Sequence, residues 1–220
     1  MSGETTHWRD AQPLLRGVSH AYAFWAALAA AAVFVAFAAT TPARVAAAVY
    51  GAGLCALFAG SGLYHRWPFH PRWRPLLQRI DHSTIFVFIA ASYTPIALLA
   101  LTGPLRIIVL AAVWAGALAG VIFSVAWIGA PRALVAASYL ALGWVALIAM
   151  PQLVRGLPIA PLALLALGGV LYSAGAVIYA RKRPDPWPQV FGFHELFHAF
   201  VIAAAVAHAV AIGGWIIPLA

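Results

Sequence analysis

Residues 105–128, LRIIVLAAVWAGALAGVIFSVAWI, carry one charge, Arg106, at their edge and present no polar face anywhere along their length. A helix that is apolar all round must be surrounded by apolar material, either a large protein interior or lipid. At 1.5 Å per residue this stretch reaches about 36 Å, more than the ~30 Å hydrocarbon core of a bilayer. The rest of the chain decides between the two surroundings. Of 220 residues, 65% are hydrophobic and 8% charged, too few polar groups to wet the surface of a soluble globule. The solvent of this chain is the bilayer.

Cutting outward from this segment at charges and at proline or glycine clusters leaves six more apolar runs: His20–Thr40, Val45–Tyr64, Ile80–Leu101, Leu134–Met150, Pro161–Ala180 and His194–Leu219. Leu134–Met150 is the shortest. The expected fold is therefore an all-α membrane protein, a seven-transmembrane helical bundle. Residues 1–19 form a polar N-terminal segment, and residues 20–220 one membrane domain. No period of 20–50 residues repeats, and an odd number of helices does not divide into two equal transporter halves. The first run is longer than the apolar region of a secretory leader and reads as an uncleaved signal anchor, although the small residues from Ala38 to Ala43 resemble a processing site. Cys55 is the lone cysteine, which excludes an internal disulfide and a four-cysteine zinc site.

Lysine and arginine are retained in cytoplasmic loops during insertion, so their distribution sets the orientation. Arg9, Arg16, Arg66, Arg72, Arg74, Arg79, Arg132, Arg181, Lys182 and Arg183 fall on one side, and Arg44, Arg106 and Arg155 on the other. The N-terminus is expected in the cytoplasm, the C-terminus outside, and the chain in the plasma (inner) membrane. The net charge of +8 does not point to nucleic acid, because the bases sit in short loops beside helices, where topology and anionic lipid headgroups account for them.

Polar residues inside or at the ends of membrane helices are costly and mark function. Ser61 and His65 are spaced i,i+4 at the end of the second segment, Asp81 opens the third, and His194 and His198, again i,i+4, open the seventh. Side chains at that spacing share one helix face, a turn apart. With the topology above, all five lie at the cytoplasmic depth of the bundle. Three imidazoles from two helices can bind one zinc ion and leave its fourth position to water. Zinc lowers the pKa of such a water and polarises a carbonyl, and a carboxylate nearby, here Asp81, can orient the water or take its proton. Ser61 can hydrogen-bond the water, a ligand imidazole or a substrate oxygen.

Singly, each residue also has an ordinary explanation. A serine in a membrane helix usually bonds back to its own backbone, a histidine at a helix end is usually interfacial, and Asp81 can cap its helix or pair with Arg79. His7 and His70 carry no signal, and His20 and His208 read as packing or supporting residues. The run His194-Glu195-Leu196-Phe197-His198 also matches the H-E-x-x-H signature of zinc proteases, in which the glutamate is the general base. Against that reading, no acidic residue follows Glu195 to serve as third ligand, and His208 lies roughly 21 Å further along the helix. Glu195 is expected to pair with a loop arginine or to sit beside the site.

The ordered motifs Ser61-x3-His65, Asp81-His82-Ser83 running into Ser92-Tyr93-Thr94-Pro95, and Phe191-Gly192-Phe193-His194-x3-His198 resemble the hemolysin III family, the bacterial branch of the progestin and adipoQ receptors. The resemblance runs from Gly17-Val18-Ser19-His20 to His208. It implies a seven-helix membrane protein in which His65, His194 and His198 bind Zn2+ and Asp81 contacts the zinc-bound water, as at the matching positions of the related adiponectin receptors. Because those receptors are reported to hydrolyse ceramide, it also implies hydrolysis of a lipid amide or ester entering from the bilayer. Two other readings stay open: a zinc-binding sensor or receptor without catalysis, and a cytolytic protein, for which the chain offers no soluble domain.

Smaller features concern the fold. Pro95 is expected to kink the third segment or end its regular stretch, opening space beside Asp81. Trp67, Trp73, Tyr139, Tyr179, Trp187 and Trp215 are expected in an interfacial aromatic belt. Gly116 and Gly120, at small-x3-small spacing, let the fourth segment approach a neighbouring helix, in the same chain or in a second copy as a homo-oligomer.

Overall fold

The computed structural model describes residues 12–67 and 70–219, so residues 1–11 of the N-terminal segment, with His7 and Arg9, lie outside the described residues. Seven helical spans, long and apolar enough to cross a membrane, account for nearly all of it. They are α1 (Val18–Phe37), α2 (Thr41–Arg66), α3 (Arg74–Pro95), α4 (Gly103–Ala126), α5 with α6 (Arg132–Gly143 and Ala146–Gly156, together one span), α7 (Ile159–Arg181) and α8 (Phe193–Ala211). The chain is a multi-pass membrane protein.

Local chemistry sets the helix ends. Thr40 Oγ1 accepts from Ala43 N at 3.3 Å to start α2, with Pro42 in the first turn where its missing N–H costs nothing. Gly103 turns the chain into α4 at φ +60°, ahead of Pro104. At the same end of the bundle, Arg44 Nε donates to Ala38 O at 3.1 Å and Arg106 Nε to Leu101 O at 2.9 Å, so each satisfies a carbonyl of the linker that precedes its helix.

Three spans depart from regular geometry: the seventh widens into π turns over Ile212–Ile216 near its end, and the third and fifth are interrupted within the bundle. Pro95 has no N–H to give to the fourth carbonyl before it, and the ladder widens into π turns over Ile96–Ala100. The regular stretch ends there as expected, but Pro95 is fully buried and about 21 Å along the axis from Asp81, so it does not create the space beside that carboxylate. The fifth span is longer than the expected 134–150 and is broken at Trp144–Val145. Tyr93 of α3 bridges the break, its hydroxyl donating to Gly143 O and accepting from Ala146 N at 2.7 Å. In lipid an opened backbone needs such a partner.

Helices α1 to α4 pack in sequence, α5 packs on α7, α7 on α8, and α8 returns to α1. Buried side chains concentrate on α2 and α3, while Phe37 and Ile159 are 82% and 80% exposed, apolar surface of the kind only lipid covers. Gly120 and Gly116 receive side chains of their own chain: a Cβ at Gly120 would come within 2.2 Å of the Phe86 ring, and one at Gly116 within 2.6 Å of Leu142.

Candidate metal site

At one end of the bundle the last turns of α2, the third turn of α3 and the first two turns of α8 converge. His65 Nε2 and His194 Nε2 are 3.2 Å apart, and one ring nitrogen from each of His65, His194 and His198 lies within 4.8 Å of the other two. Asp81 Oδ2 is 3.9 Å from His65 Nε2. Ser61, a turn before His65, is buried close beside Asp81. All five sequence candidates thus meet in one cluster, and Ser61, His65, Asp81 and His198 are each less than 9% exposed.

The donor set fits a metal ion. Two nitrogens coordinated tetrahedrally at 2.0–2.1 Å would be about 3.3 Å apart, close to the spacing observed between His65 and His194. Burying three imidazoles against one another takes their polar edges out of water, a cost that only a shared partner offsets. A cation shared by the three rings turns their convergence from a cost into an attraction. Asp81 lies beyond direct contact with His65, at a distance that suits a carboxylate acting across the centre.

The N-terminal strap seats this cluster. Leu14 N and Leu15 N donate to Gln189 O and Val190 O of the α7–α8 loop at 3.0 and 3.1 Å. Arg16 Nε pairs with the buried Glu195. Gly17, at φ +72°, then crosses His65 so closely that a Cβ there would lie 2.4 Å from His65 Cβ. The start of α8 is fixed from both sides: Glu195 Oε2 accepts from Gly192 N at 2.8 Å, and Asp185 Oδ1 from Phe193 N at 2.7 Å. The glutamate of the H-E-x-x-H match is therefore a helix cap and ion-pair partner, and it does not line the cavity onto which His194 and His198 open. The protease reading loses its general base, and Glu195 has the loop-arginine partner expected of it.

That cavity, of about 280 Å³, extends from Ser61, Asp81 and the α8 histidines between α3, α5–α6, α7 and α8 as far as Ile96, Leu162 and His208. Along α8 this is about 20 Å. Apart from the polar end, its walls are mainly Leu, Ile, Val, Ala and aromatic rings. A compact polar centre at the end of a long apolar slot suits a molecule with a polar head and a hydrocarbon chain.

Three neighbours complete the surroundings: His20, read from the sequence as a packing or supporting residue, and Tyr139 and Tyr179, expected in an interfacial belt. His20 of α1 is buried and stacked on His198 with ring centroids 3.8 Å apart, so it braces the second α8 imidazole. Tyr139 and Tyr179 are not in an interfacial belt. Tyr139 OH donates to His82 O at 3.2 Å, and Tyr179 packs edge-on to His194 at 5.9 Å, both lining the cavity. Their position near helix ends concealed this, since interface and interior differ there only in which way the helix is rotated. Trp67, Trp73 and Trp187 do face outward.

The model of the haemolysin-III related family matches residues 8–209. Hemolysin-3 homolog of Bacillus subtilis (strain 168) is 35% identical over 159 residues, which is 72% of this chain and 71% of that protein. Hemolysin-3 of Bacillus cereus is 34% identical over 169 residues, covering 76% and 73%. Monocyte to macrophage differentiation factor of Homo sapiens is 30% identical over 175 residues, covering 77% and 69%.

Proposed function

The chain belongs to the haemolysin-III related family, and on that premise we propose that it is a zinc-dependent hydrolase of membrane lipid amides or esters. It would act in the plasma membrane with its N-terminus in the cytoplasm and its basic loops against anionic headgroups. The observation that carries this reading is the meeting of three imidazoles and a buried carboxylate at the polar end of a long apolar cavity.

His65, His194 and His198 hold the metal. Bound there, zinc supplies a Lewis acid that polarises a carbonyl and makes water a better nucleophile near neutral pH. Asp81 orients the attacking water and accepts its proton, which it can pass to the leaving amine or alcohol. Ser61 donates a hydrogen bond to the substrate's oxygen, and the apolar slot aligns the acyl chain so that the scissile carbonyl stays at the polar end. An open cavity beside the donor set favours chemistry over a closed structural site.

The test is metal analysis of detergent-purified wild type beside His194→Ala and Asp81→Ala, followed by turnover of a ceramide and a diacylglycerol in mixed micelles. About one zinc per chain is expected, lost in His194→Ala and kept in Asp81→Ala, with hydrolysis absent from both variants. A well-folded wild type that binds no zinc would refute the metal reading. Zinc without turnover of any amide or ester would leave a metal-binding receptor.

A further inference from the structure

Deeper in the cavity stand two polar side chains that the chemistry at its end does not use. Tyr172 of α7 and His208 of α8 both line it, edge-to-face with ring centroids 5.4 Å apart. The phenolic oxygen of Tyr172 is buried and has no hydrogen-bond partner among the described residues. His208 Nε2 lies 3.1 Å from Leu165 O. A carbonyl only accepts, so Nε2 carries the ring proton and Nδ1 keeps a lone pair. The packing around the imidazole is tight, since a Cβ at Gly168 would fall 2.2 Å from His208 Cδ2. In a hydrocarbon surrounding an unpaired O–H is costly, and one that lines a cavity can be given its partner by a molecule bound there.

Resting on the lipid-binding reading above, we propose that Tyr172 and His208 form a second, hydrogen-bonding subsite that selects lipids carrying a hydroxyl partway down the chain. A hydroxyl complements both groups at once, accepting from the Tyr172 O–H and donating to His208 Nδ1. An unsubstituted chain satisfies neither. The depth follows from the helices. Tyr179, against His194, is two turns from Tyr172, and His208 is 14 residues from His194, which brackets the pair at roughly 10–20 Å from the histidine cluster. Side chains tilt toward the N-terminus of their own helix, and α7 and α8 run in opposite directions, so the two rings meet between those limits.

The experiment compares octadecanoic acid with 12-hydroxyoctadecanoic acid as competitors of a fluorescent octadecanoic acid analogue, using the full chain in lipid nanodiscs. Wild type should prefer the hydroxy acid by about 3- to 10-fold, the net effect of one or two hydrogen bonds. Tyr172→Phe should lose that preference while keeping its affinity for octadecanoic acid, which also reports that it folds. It should melt no lower than wild type without ligand, because it removes an unpaired hydroxyl. Tyr50→Phe is the control, since Tyr50 OH is likewise buried without a partner but does not line the cavity, and there the preference should persist. Equal binding of the two acids by wild type, or a preference that survives Tyr172→Phe, would overturn the subsite while leaving the lipid cavity standing. If neither acid competes, the lipid-binding reading fails and the subsite with it.

Discussion

If the three histidines hold zinc as proposed, replacing Gly17 by alanine should weaken that binding without touching any of the three. At φ +72° an L-residue costs about 1–2 kcal/mol relative to glycine. The new Cβ would also sit 2.4 Å from His65 Cβ, more than 1 Å inside the ~3.5–4.0 Å contact distance of two carbons. Relieving that overlap at a packed position costs a further 1–3 kcal/mol or so. The neighbour that must move is Cβ of His65, so the displacement passes directly to its imidazole. Gly103→Ala separates the two effects, because Gly103 has φ +60° and nothing within 4 Å of the added carbon. The assay is thermal unfolding in detergent together with zinc affinity by competition against a chromophoric chelator. Gly103→Ala should lose about 1–2 kcal/mol and bind zinc as wild type does. Gly17→Ala should lose about 2–5 kcal/mol and bind zinc at least tenfold more weakly, the range seen when support of a ligand is removed. If the two variants unfold alike and both keep wild-type affinity, the strap does not position His65 and the reasoning is wrong.

Two other perturbations address the frame around the site. Glu195→Gln leaves Arg16 without its counter-charge, in a pair whose side chains are 16% and 2% exposed, and should cost about 3 kcal/mol in chemical denaturation. Because Glu195 serves as a cap and not a base, lipid turnover per folded molecule should fall less than tenfold, whereas a drop of several hundredfold would restore the protease-like role. Tyr93→Phe removes the donor to Gly143 O and the acceptor for Ala146 N at the break in the fifth span. It should destabilise the protein by about 1–3 kcal/mol and speed amide exchange at 143–147, with unchanged exchange there counting against a clamp.

Much of this protein is determined by its sequence alone. Apolar runs long enough to cross a bilayer admit one class of structure, because unpaired backbone is intolerable in lipid, and the i,i+4 pairs Ser61/His65 and His194/His198 fix which side chains share a helix face. The convergence of three histidines and one aspartate at one end of the bundle was readable from the same periodicity together with the order of the spans. What periodicity leaves open is the rotation of each helix about its axis and the order in which helices pack, since every face of an apolar helix suits lipid equally well. Only the tertiary structure therefore decides that Tyr139 and Tyr179 turn inward, that His20 stacks on His198, and that Glu195 is taken by Arg16 and its own helix end. The break at Trp144 is of the same kind, because the partner that makes an open backbone tolerable there is Tyr93, fifty residues away in sequence.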